Sequence, residues 1–449
     1  MIKKLMTLGI IFVLVPMAFG QQEGAAKQLT LQDCIDIALH RNTTVLQSQY
    51  QSQGQGAKLL SAYGQLLPSL SATGDFSYQY NQIESGVQVG GVIIPLTATA
   101  ISRRYSAGVG ANYTLFDGMA NFAGLDLVKS QSASASLNYD RAKQTAVYQT
   151  IQNYLAVFNA RDQLKISEDN LKRDQRQLEQ IKESNSVGSA SLADVYQQQA
   201  VVSGDEYSLV QAKNAYEQAQ ANLKFFLSIP VSQNIGFADT TVSSSIDTTQ
   251  FSRLNANYSD VPMLVERAIE SRPDYKAAME NVNASKSQVA IANAAYSPTI
   301  SAFANYGING PGTNTINQNK SFYGGLELSL PIFNGFQTQT NIQVADVNLK
   351  AARQTLDATK QQVQLDVYKA LLNLYSSEKG YESAVNALAY AKINLETAQE
   401  KYKVGSGTLL DVLTANALYT QAESNQVVAA YTYIQAKMQV EYATGTIKY

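Results

Sequence analysis

The stretch VGSASLADV at 187–195 recurs as VGSGTLLDV at 404–412, which places the second copy 217 residues after the first. The motif FDG at 116–118 recurs as FNG at 333–335 with the same offset of 217 residues. A constant offset between unrelated motifs indicates that one structural unit occurs twice. Each longer stretch has a Gly, then Ser or Thr, then Asp three residues later. This order is typical of one helix ending and the next beginning.

The two copies extend over about 29–227 and 260–449, and a connector rich in Ser, Thr and Asn at 228–259 joins them. Upstream of the shared motifs, LLPSL at 66–70 matches YSPTI at 296–300 with a larger offset of 230 residues. The first copy therefore carries thirteen extra residues between these points. Each copy predicts a helix, two strands, a very long helix, a tight turn and a second helix.

The longest predicted helices span 119–186 and 336–403, and neither segment contains Pro. Their 68 residues correspond to about 100 Å of helix. Leu recurs at every seventh position late in the first segment, which indicates a coiled-coil seam. The flanking helices predicted at 31–67 and 191–227 together match the long helix in length. This match predicts one long helix packed against two shorter helices placed in line.

Four short segments alternate between apolar and polar residues, at about 69–80, 105–115, 299–308 and 322–332. Alternation over about ten Tyr-rich residues fits strands with one face in lipid and one in water. A half-buried sheet in a soluble domain gives a similar pattern and remains an alternative. The residues between the first two strands, 81–104, are predicted to form an extracellular loop.

The amino-terminal residues 1–20 have a charged start, an apolar stretch and a small-residue cleavage site. This organisation predicts a secretory signal peptide. The rest of the chain has no stretch of about 20 apolar residues, so any membrane span must consist of strands.

Four strands cannot close into a barrel, because single-chain barrels need at least about eight. An open sheet in lipid would leave backbone groups without hydrogen bonds. Several chains must therefore share one barrel, with eight strands for a dimer or twelve for a trimer. A twelve-stranded barrel begins to leave a lumen, so a conducting function favours the trimer.

The composition excludes several classes of function. Only 16% of the 449 residues are charged, against about 25% in ordinary soluble domains. With a net charge of −2, there is no basic surface for nucleic acid. The single Cys (Cys34) and single His (His40) argue against disulfides, Cys or His metal clusters and a hydrolase triad. We predict no catalytic residue, no metal site and no cofactor, so the protein should not be an enzyme.

Together these features resemble the TolC-like outer-membrane efflux proteins, also called outer membrane factors. The resemblance covers essentially the whole mature chain and includes LKFFL before SIP at 223–230. It implies a homotrimer in the outer membrane lipid of a Gram-negative-type cell, with a twelve-stranded β-barrel on a long periplasmic α-helical barrel. It further implies an exit duct of a tripartite efflux or type I secretion system. Such ducts conduct exported solutes passively and work with a periplasmic adaptor (membrane fusion) protein and an inner-membrane pump.

The resemblance also suggests a periplasmic gate at the helix tips. Asp411 matches the first acidic position of a ring of negative charge, and the second position is Thr414. Tyr402 and Asp194 match a Tyr and an Asp that help to hold the entrance closed, whereas the matching Arg is replaced by Gly407. Helix capping explains Asp194 and Asp411 equally well, so both interpretations stay open.

Two further sets of residues follow from the repeated motifs. The tips that adaptor hairpins contact in the family match Val187, Gly188, Val404 and Gly405. The strand-to-helix turns are predicted at Asp117, Gly118, Asn334 and Gly335. In both sets, ordinary turn and capping chemistry is an alternative explanation.

Two other functions would use long helices. A periplasmic adaptor carries one helical hairpin between compact β-domains, whereas this chain carries a duplicated hairpin with amphipathic strands. A structural coiled-coil protein would form rods without a channel.

Overall fold

The computed structural model describes residues 27–238, residue 246 and residues 260–448. The signal peptide predicted at 1–20 lies outside the described residues, as does most of the connector predicted at 228–259. In the first copy the elements are β1 Lys27–Leu29, α1 Leu31–Arg41, α2 Thr43–Gly64, β2 Ser69–Val89, β3 Val92–Phe116, α3 Ala120–Ser186 and α4 Leu192–Phe226. The connector contributes β4 Ile235–Phe237. In the second copy the elements are α5 Val261–Ser271, α6 Pro273–Ala294, β5 Thr299–Gly310, β6 Asn319–Ser329, α7 Gln337–Lys403 and α8 Leu409–Ala443.

The two long helices organise the helical part of the molecule. Helices α3 and α7 contain 67 residues each, which corresponds to about 100 Å. Helix α3 packs against α2 and α4, and α7 packs against α6 and α8. The copies also contact each other, because α3 packs against α6 and α8. Within residues 27–238 and 260–448, none of the helices combines the length and apolar character needed to cross a membrane.

The single helix predicted at 31–67 is wrong, because the chain breaks at Asn42. This residue adopts an extended conformation, and its side chain accepts hydrogen bonds from the N–H groups of Thr44 and Val45. Its amide nitrogen also donates to the carbonyl of Phe226, 3.0 Å away. The second copy breaks at the equivalent point for another reason: Pro273 has no N–H group to continue the preceding helix.

The four longer strands form one antiparallel sheet in the order β2-β3-β5-β6. Strands β2 and β3 pair without interruption from Ser69 opposite Asn112 to Val89 opposite Val92. The loop predicted at 81–104 is therefore wrong, since these residues continue the two strands. Gly90 and Gly91 have φ angles of 59° and 84°, which are the left-handed values that a two-residue hairpin turn requires.

The second hairpin differs less from its predicted bounds of 299–308 and 322–332. Strand β5 runs two residues further, to Gly310, and β6 begins three residues earlier, at Asn319. Strand β6 also ends earlier, at Ser329. Pro331 follows two residues later and cannot donate a hydrogen bond to a strand ladder.

The largest apolar cluster lies where α1, α3, α4 and α8 meet the short parallel sheet of β1 and β4. Tyr154 and Phe158 of α3 are fully buried there, with Leu223 and Leu227 beside them. Cys34 is also completely buried in this cluster. Burial raises the pKa of its thiol to about 12, so this cysteine remains protonated at neutral pH.

A buried arginine, Arg272, connects helices of the second copy with one another and with α3 of the first copy. The side chain of Arg272 is 3% exposed and makes a bidentate ion pair with Asp274, at 3.0 Å from Nε and 2.6 Å from Nη2. Its Nη1 donates to Asp366 of α7 at 2.8 Å and to the carbonyl of Ala443 at the end of α8 at 3.3 Å. On the other side, Arg141 of α3 lies 3.5 Å from Asp274. Four helices therefore meet through one network of charges.

Replacement of Arg272 by Met should destabilise the protein by about 3–5 kcal/mol, because it leaves two partly buried carboxylates without their cation. Replacement of Lys129 by Met is the control, since its pair with Asp126 lies on the surface and contributes about 0–1 kcal/mol. The loss of the helical circular dichroism signal on heating measures both effects. Equal melting temperatures for the two variants would contradict the assigned role of Arg272.

Candidate functional site

The two helix tips have the same backbone geometry. Helix α3 ends at Gly188 with φ 78°, and α7 ends at Gly405 with φ 74°. In both turns a backbone hydrogen bond of 2.9 Å closes the helix end, from Ser189 to the Ser184 carbonyl and from Ser406 to the Lys401 carbonyl. These contacts are typical of a helix that ends in a left-handed residue.

Each tip is followed by a complete capping box. The N–H of Asp194 donates to Oγ of Ser191, and the N–H of Ser191 donates to Oδ2 of Asp194, both at 3.1 Å. In the second tip the N–H of Asp411 donates to Oγ1 of Thr408 at 3.2 Å, and the Thr408 N–H donates back to Oδ2 at 2.9 Å. Capping therefore holds both carboxylates at the exposed start of a helix.

Asp411 keeps its negative charge over a wide pH range. Hydrogen bonds from the backbone and the side chain of Thr408 lower the pKa of this carboxyl, and the nearby charge of Lys401 lowers it further. The carboxylate is fully exposed and remains ionised at neutral pH. Thr414 is also exposed and lies three residues later, on the same side of α8. The Thr414 hydroxyl adds no second negative charge beside Asp411.

Tyr402 and Asp194 come close together although they belong to different copies. Burial raises the pKa of the Tyr402 hydroxyl, and the negative charge of Asp194 raises it further. The Tyr402 ring packs against a small apolar cluster that contains Leu395 of α7 and Val412 of α8. The helix tips of the two copies are thus in electrostatic contact near the end of the molecule.

Gly407 occupies the position at which the resemblance calls for an arginine. A Cβ atom placed on Gly407 would lie 3.0 Å from Cβ of Lys401, which is tighter than ordinary contacts. The turn therefore packs closely where the family has a long cationic side chain.

The predicted adaptor-contact residues lie at the outermost points of the two turns. The side chains of Val187 and Val404 are 78% and 75% exposed. A Cβ atom added to Gly188 or Gly405 would meet nothing within 4 Å. An apolar residue thus projects from each tip into open space.

The predicted strand-to-helix turns also use capping. Oδ2 of Asp117 accepts from the Asn121 N–H at 2.9 Å, and Oδ1 of Asn334 accepts from the Thr338 N–H at 3.5 Å. Gly118 and Gly335 have positive φ angles of 69° and 64°. The next residue in each turn, Met119 or Phe336, is also left-handed, which no sequence pattern indicated. Two consecutive left-handed residues turn the chain sharply from sheet to helix.

Sequence reasoning missed a set of polar residues between α3, α4 and α8, which we call the polar cluster. It consists of Asn170, Asp174, Gln198, Asp205, Asn416 and Thr420. Gln198 is completely buried, and Asp174 is 3% exposed. The only sequence signal was a group of polar residues on helix faces that a seven-residue repeat would bury.

A sequence profile of the outer membrane efflux protein family matches residues 34–228 and 264–446. The chain belongs to this family. Both halves match, which agrees with the duplication that the repeated motifs indicate. The family resemblance noted from the sequence is therefore confirmed.

Curated members of the family align along most of the chain. The outer membrane protein TolC of Vibrio cholerae serotype O1 is 24% identical over 439 residues, which cover 96% of this chain and 94% of that protein. TolC of Escherichia coli K12 is 23% identical, with coverage of 87% and 77%. The cation efflux system protein CusC of Escherichia coli K12 is 24% identical, with coverage of 71% and 67%.

Solved structures share the fold at lower sequence identity. The outer membrane protein VceC from Vibrio cholerae superposes with a TM-score of 0.78 at 17% identity, covering 92% of this chain and 96% of that chain. The Campylobacter jejuni CmeC outer membrane channel superposes with a TM-score of 0.76 at 19% identity, covering 93% and 85%.

These findings establish a TolC-like outer membrane factor that is located in the outer membrane and has a large periplasmic part. Its function belongs to efflux and transport. Family members are channels, which agrees with the prediction that the chain is not an enzyme. Family membership also decides against the periplasmic adaptor and the structural coiled-coil protein.

Replacement of Gly405 by Ala should loosen the second tip, because a left-handed conformation costs an L-residue about 1–2 kcal/mol. We expect faster trypsin cleavage after Lys403, two residues before this turn. Replacement of Gly204 by Ala is the control: this helical residue of α4 has equally open space around it but lacks a positive φ angle. Cleavage at equal rates in the two variants would argue against strain at this tip.

Proposed function

We propose that the protein is the outer-membrane exit duct of a tripartite efflux or type I secretion system. It conducts exported solutes passively through a homotrimer, while an inner-membrane pump supplies the work and a periplasmic adaptor connects the two. The observation that carries this proposal is the division of the sheet into one apolar and one polar face.

In two successive rows across the middle of the four strands, residues that lie opposite each other have the same character. One row consists of Ala72, Val109, Tyr306 and Phe322. The next row, on the other face, consists of Thr73, Gly108, Gly307 and Ser321. Because successive residues point to opposite faces, the first row suits lipid and the second suits water. A sheet with this pattern can separate a membrane from an aqueous lumen.

The edges of the sheet support the trimer. Strands β2 and β6 each have one neighbouring strand, so each carries one edge of unpaired backbone groups. In lipid each such group costs several kcal/mol unless it finds a partner. Pairing of β2 from one chain with β6 of the next chain removes every edge in a closed ring. Three chains give twelve strands, which is enough to leave a lumen.

The names of two relatives refer to different exported substances, a cation for CusC and pyoverdine for OpmQ of Pseudomonas putida. We therefore propose an exported solute as the cargo of this protein. The adaptor and the pump are proposed because each of the two helix tips presents an exposed valine, Val187 or Val404, that a partner protein can cover.

We assign the roles of the tips as follows. Asp411, Asp194, Tyr402 and Thr414 form the periplasmic gate region, with Asp411 as its acidic ring. Val187, Gly188, Val404 and Gly405 contact the adaptor. The supporting observations are the exposed carboxylate of Asp411 and the projecting valines.

We further propose that residues 1–20 are removed as a signal peptide and that 29–227 and 260–449 are two copies of one unit. The connector at 228–259 then links the copies. The equal length of α3 and α7, at 67 residues each, supports this division.

The face assignment is tested by two adjacent aromatic residues of β6. Phe322 is 74% exposed on the apolar face, and Tyr323 is 60% exposed on the other face. Replacement of Phe322 by Lys should cost about 2–4 kcal/mol per chain in lipid and reduce the amount of assembled protein in outer membranes. Replacement of Tyr323 by Lys should leave assembly near that of the unmodified protein. Heat-resistant complexes on gels measure both, and a reversed order of the variants would refute the assignment.

The gate assignment is tested by Asp411. Three carboxylates in a narrow pore bind multivalent cations, so replacement of Asp411 by Ala should weaken the block of conductance by these ions in planar bilayers. Asp33 to Ala is the matched control, because it removes the same kind of capping carboxylate from the start of α1, outside the gate region. Unchanged block in the Asp411 variant would exclude an acidic ring at this position.

A further inference from the structure

The polar cluster connects three helices a short distance from the tips. Asn170 and Asp174 belong to α3, Gln198 and Asp205 to α4, and Asn416 and Thr420 to α8. Asp174 precedes the end of α3 at Ser186 by twelve residues, which corresponds to about 18 Å. The cluster therefore joins the first helical hairpin to the second where the tips begin.

Asp174 is the centre of the cluster. Nε2 of Gln198 donates to Oδ1 of Asp174 at 3.0 Å, and Nδ2 of Asn416 donates to Oδ2 at 2.8 Å. The carboxylate oxygens of Asp174 accept hydrogen bonds, so they hold the amide nitrogens of Gln198 and Asn416 towards Asp174. One residue of α3 thereby holds α4 and α8 at the same time.

Asp205 has one carboxyl oxygen paired and one without a partner. Nδ2 of Asn170 donates to Oδ1 at 2.8 Å, whereas Oδ2 is buried and has no hydrogen-bond partner among the described residues. Asp174 and Asp205 line the same cavity between α3, α4 and α8, and their carboxyl groups interact directly. Two carboxylates in such contact repel each other unless a proton lies between them. A proton on Oδ2 of Asp205 would supply the missing hydrogen bond.

We propose that Asp174 and Asp205 share one proton and that this proton latches α4 to α3 and, through Asn416, to α8. With the proton in place, the two hairpins are held together above the tips. Without it, two negative charges face each other inside the cluster, and the contact between α3 and α4 weakens.

The titration range agrees with this geometry. Burial and, after it, the neighbouring Asp174 raise the pKa of Asp205 to about 7, against lowering contributions from Asn170 and Arg173. A carboxyl separated from its neighbour titrates near 3.8. The latched state therefore binds more protons than the separated state between these two pH values. Its relative stability is greatest at acidic pH, falls as the pH rises from about 4 to about 7, and stays low above that range.

The surrounding charges do not reverse this direction. Arg173 of α3 donates to Asn170 and Thr420 and lies 3.9 Å from Glu423 of α8. From α7, Lys392 and Glu396 line a cavity that Arg173 also lines. Arg173 is thus shared among several acceptors, and burial raises the pKa of Glu423 as well. Lys165 and Asp169 also act on Glu423, so two cations, Arg173 and Lys165, face the four carboxyl groups of Asp169, Asp174, Asp205 and Glu423.

The shared proton is independent of the proposed function, whereas its effect on conduction rests on that function. Infrared spectra of the purified full-length protein in detergent detect the carbonyl stretch of a protonated carboxylic acid. We expect a band that disappears with a midpoint near pH 7 and that is missing in Asp205→Asn. Glu206→Gln, which removes the adjacent exposed carboxylate, should retain it. Absence of the band in the unmodified protein, or its persistence in Asp205→Asn, would overturn the proposal.

Hydrogen exchange tests the latch itself. In the unmodified protein, exchange within 192–209 and 412–424, corrected for the intrinsic rate, should rise by up to about tenfold per pH unit between pH 5 and 7. In Asp205→Asn the new amide can donate to Asp174 as the shared proton does, so this rise should vanish. Asp174→Asn provides a second variant without the charge pair and should behave in the same way. An equal pH response in the unmodified protein and both variants would refute the latch.

Bilayer conductance separates the latch from the proposed function. If the protein conducts, a pH-dependent conductance between pH 5 and 8 that is lost in Asp205→Asn supports the latch as a control on the tips. If no variant conducts at any pH, the duct is refuted, and the infrared and exchange results still decide the shared proton.

Discussion

Backbone hydrogen bonding at the edges of the sheet is the constraint on which the rest of the structure depends. The order β2-β3-β5-β6 leaves one open edge on β2 and one on β6. A single chain has no strand left to cover them within the described residues. Since every chain carries the same two edges, each chain can cover an edge of its neighbour, and repetition of this contact closes a ring. Duplication of the unit within the chain therefore does not cover these edges, and the proposed association between chains would.

The two long helices carry the chain away from the sheet. The chain leaves the sheet through two consecutive left-handed residues in each copy, Gly118–Met119 and Gly335–Phe336, and enters a helix of 67 residues. Helices of this length have no broad apolar core, so small and uncharged polar residues serve both packing and contact with water. This requirement explains a charged fraction of only 16%. Among the charged residues, Arg272 forms the network that joins four helices.

Local sequence patterns predicted the features that depend on local chemistry. The long segments 119–186 and 336–403 begin one residue before the helices Ala120–Ser186 and Gln337–Lys403, because Gly and Pro mark their limits clearly. The break at Asn42 was missed because it depends on a contact with Phe226, 184 residues away. The extension of β2 and β3 was missed although the pair Gly90-Gly91 signals a hairpin turn. At the candidate site, the capping roles of Asp194 and Asp411 were readable from spacing alone. The polar cluster was not, because its members come from three helices that only the fold brings together.

The central claim is that one chain contributes a part of a shared channel, and the mass of the purified complex tests it most directly. Native mass spectrometry of the protein from detergent gives the number of chains in the complex. Single-channel recording of the same sample gives its conductance. The account predicts three chains per complex and a stable conductance. A folded monomer with an intact four-stranded sheet, or a trimer that does not conduct, would contradict it.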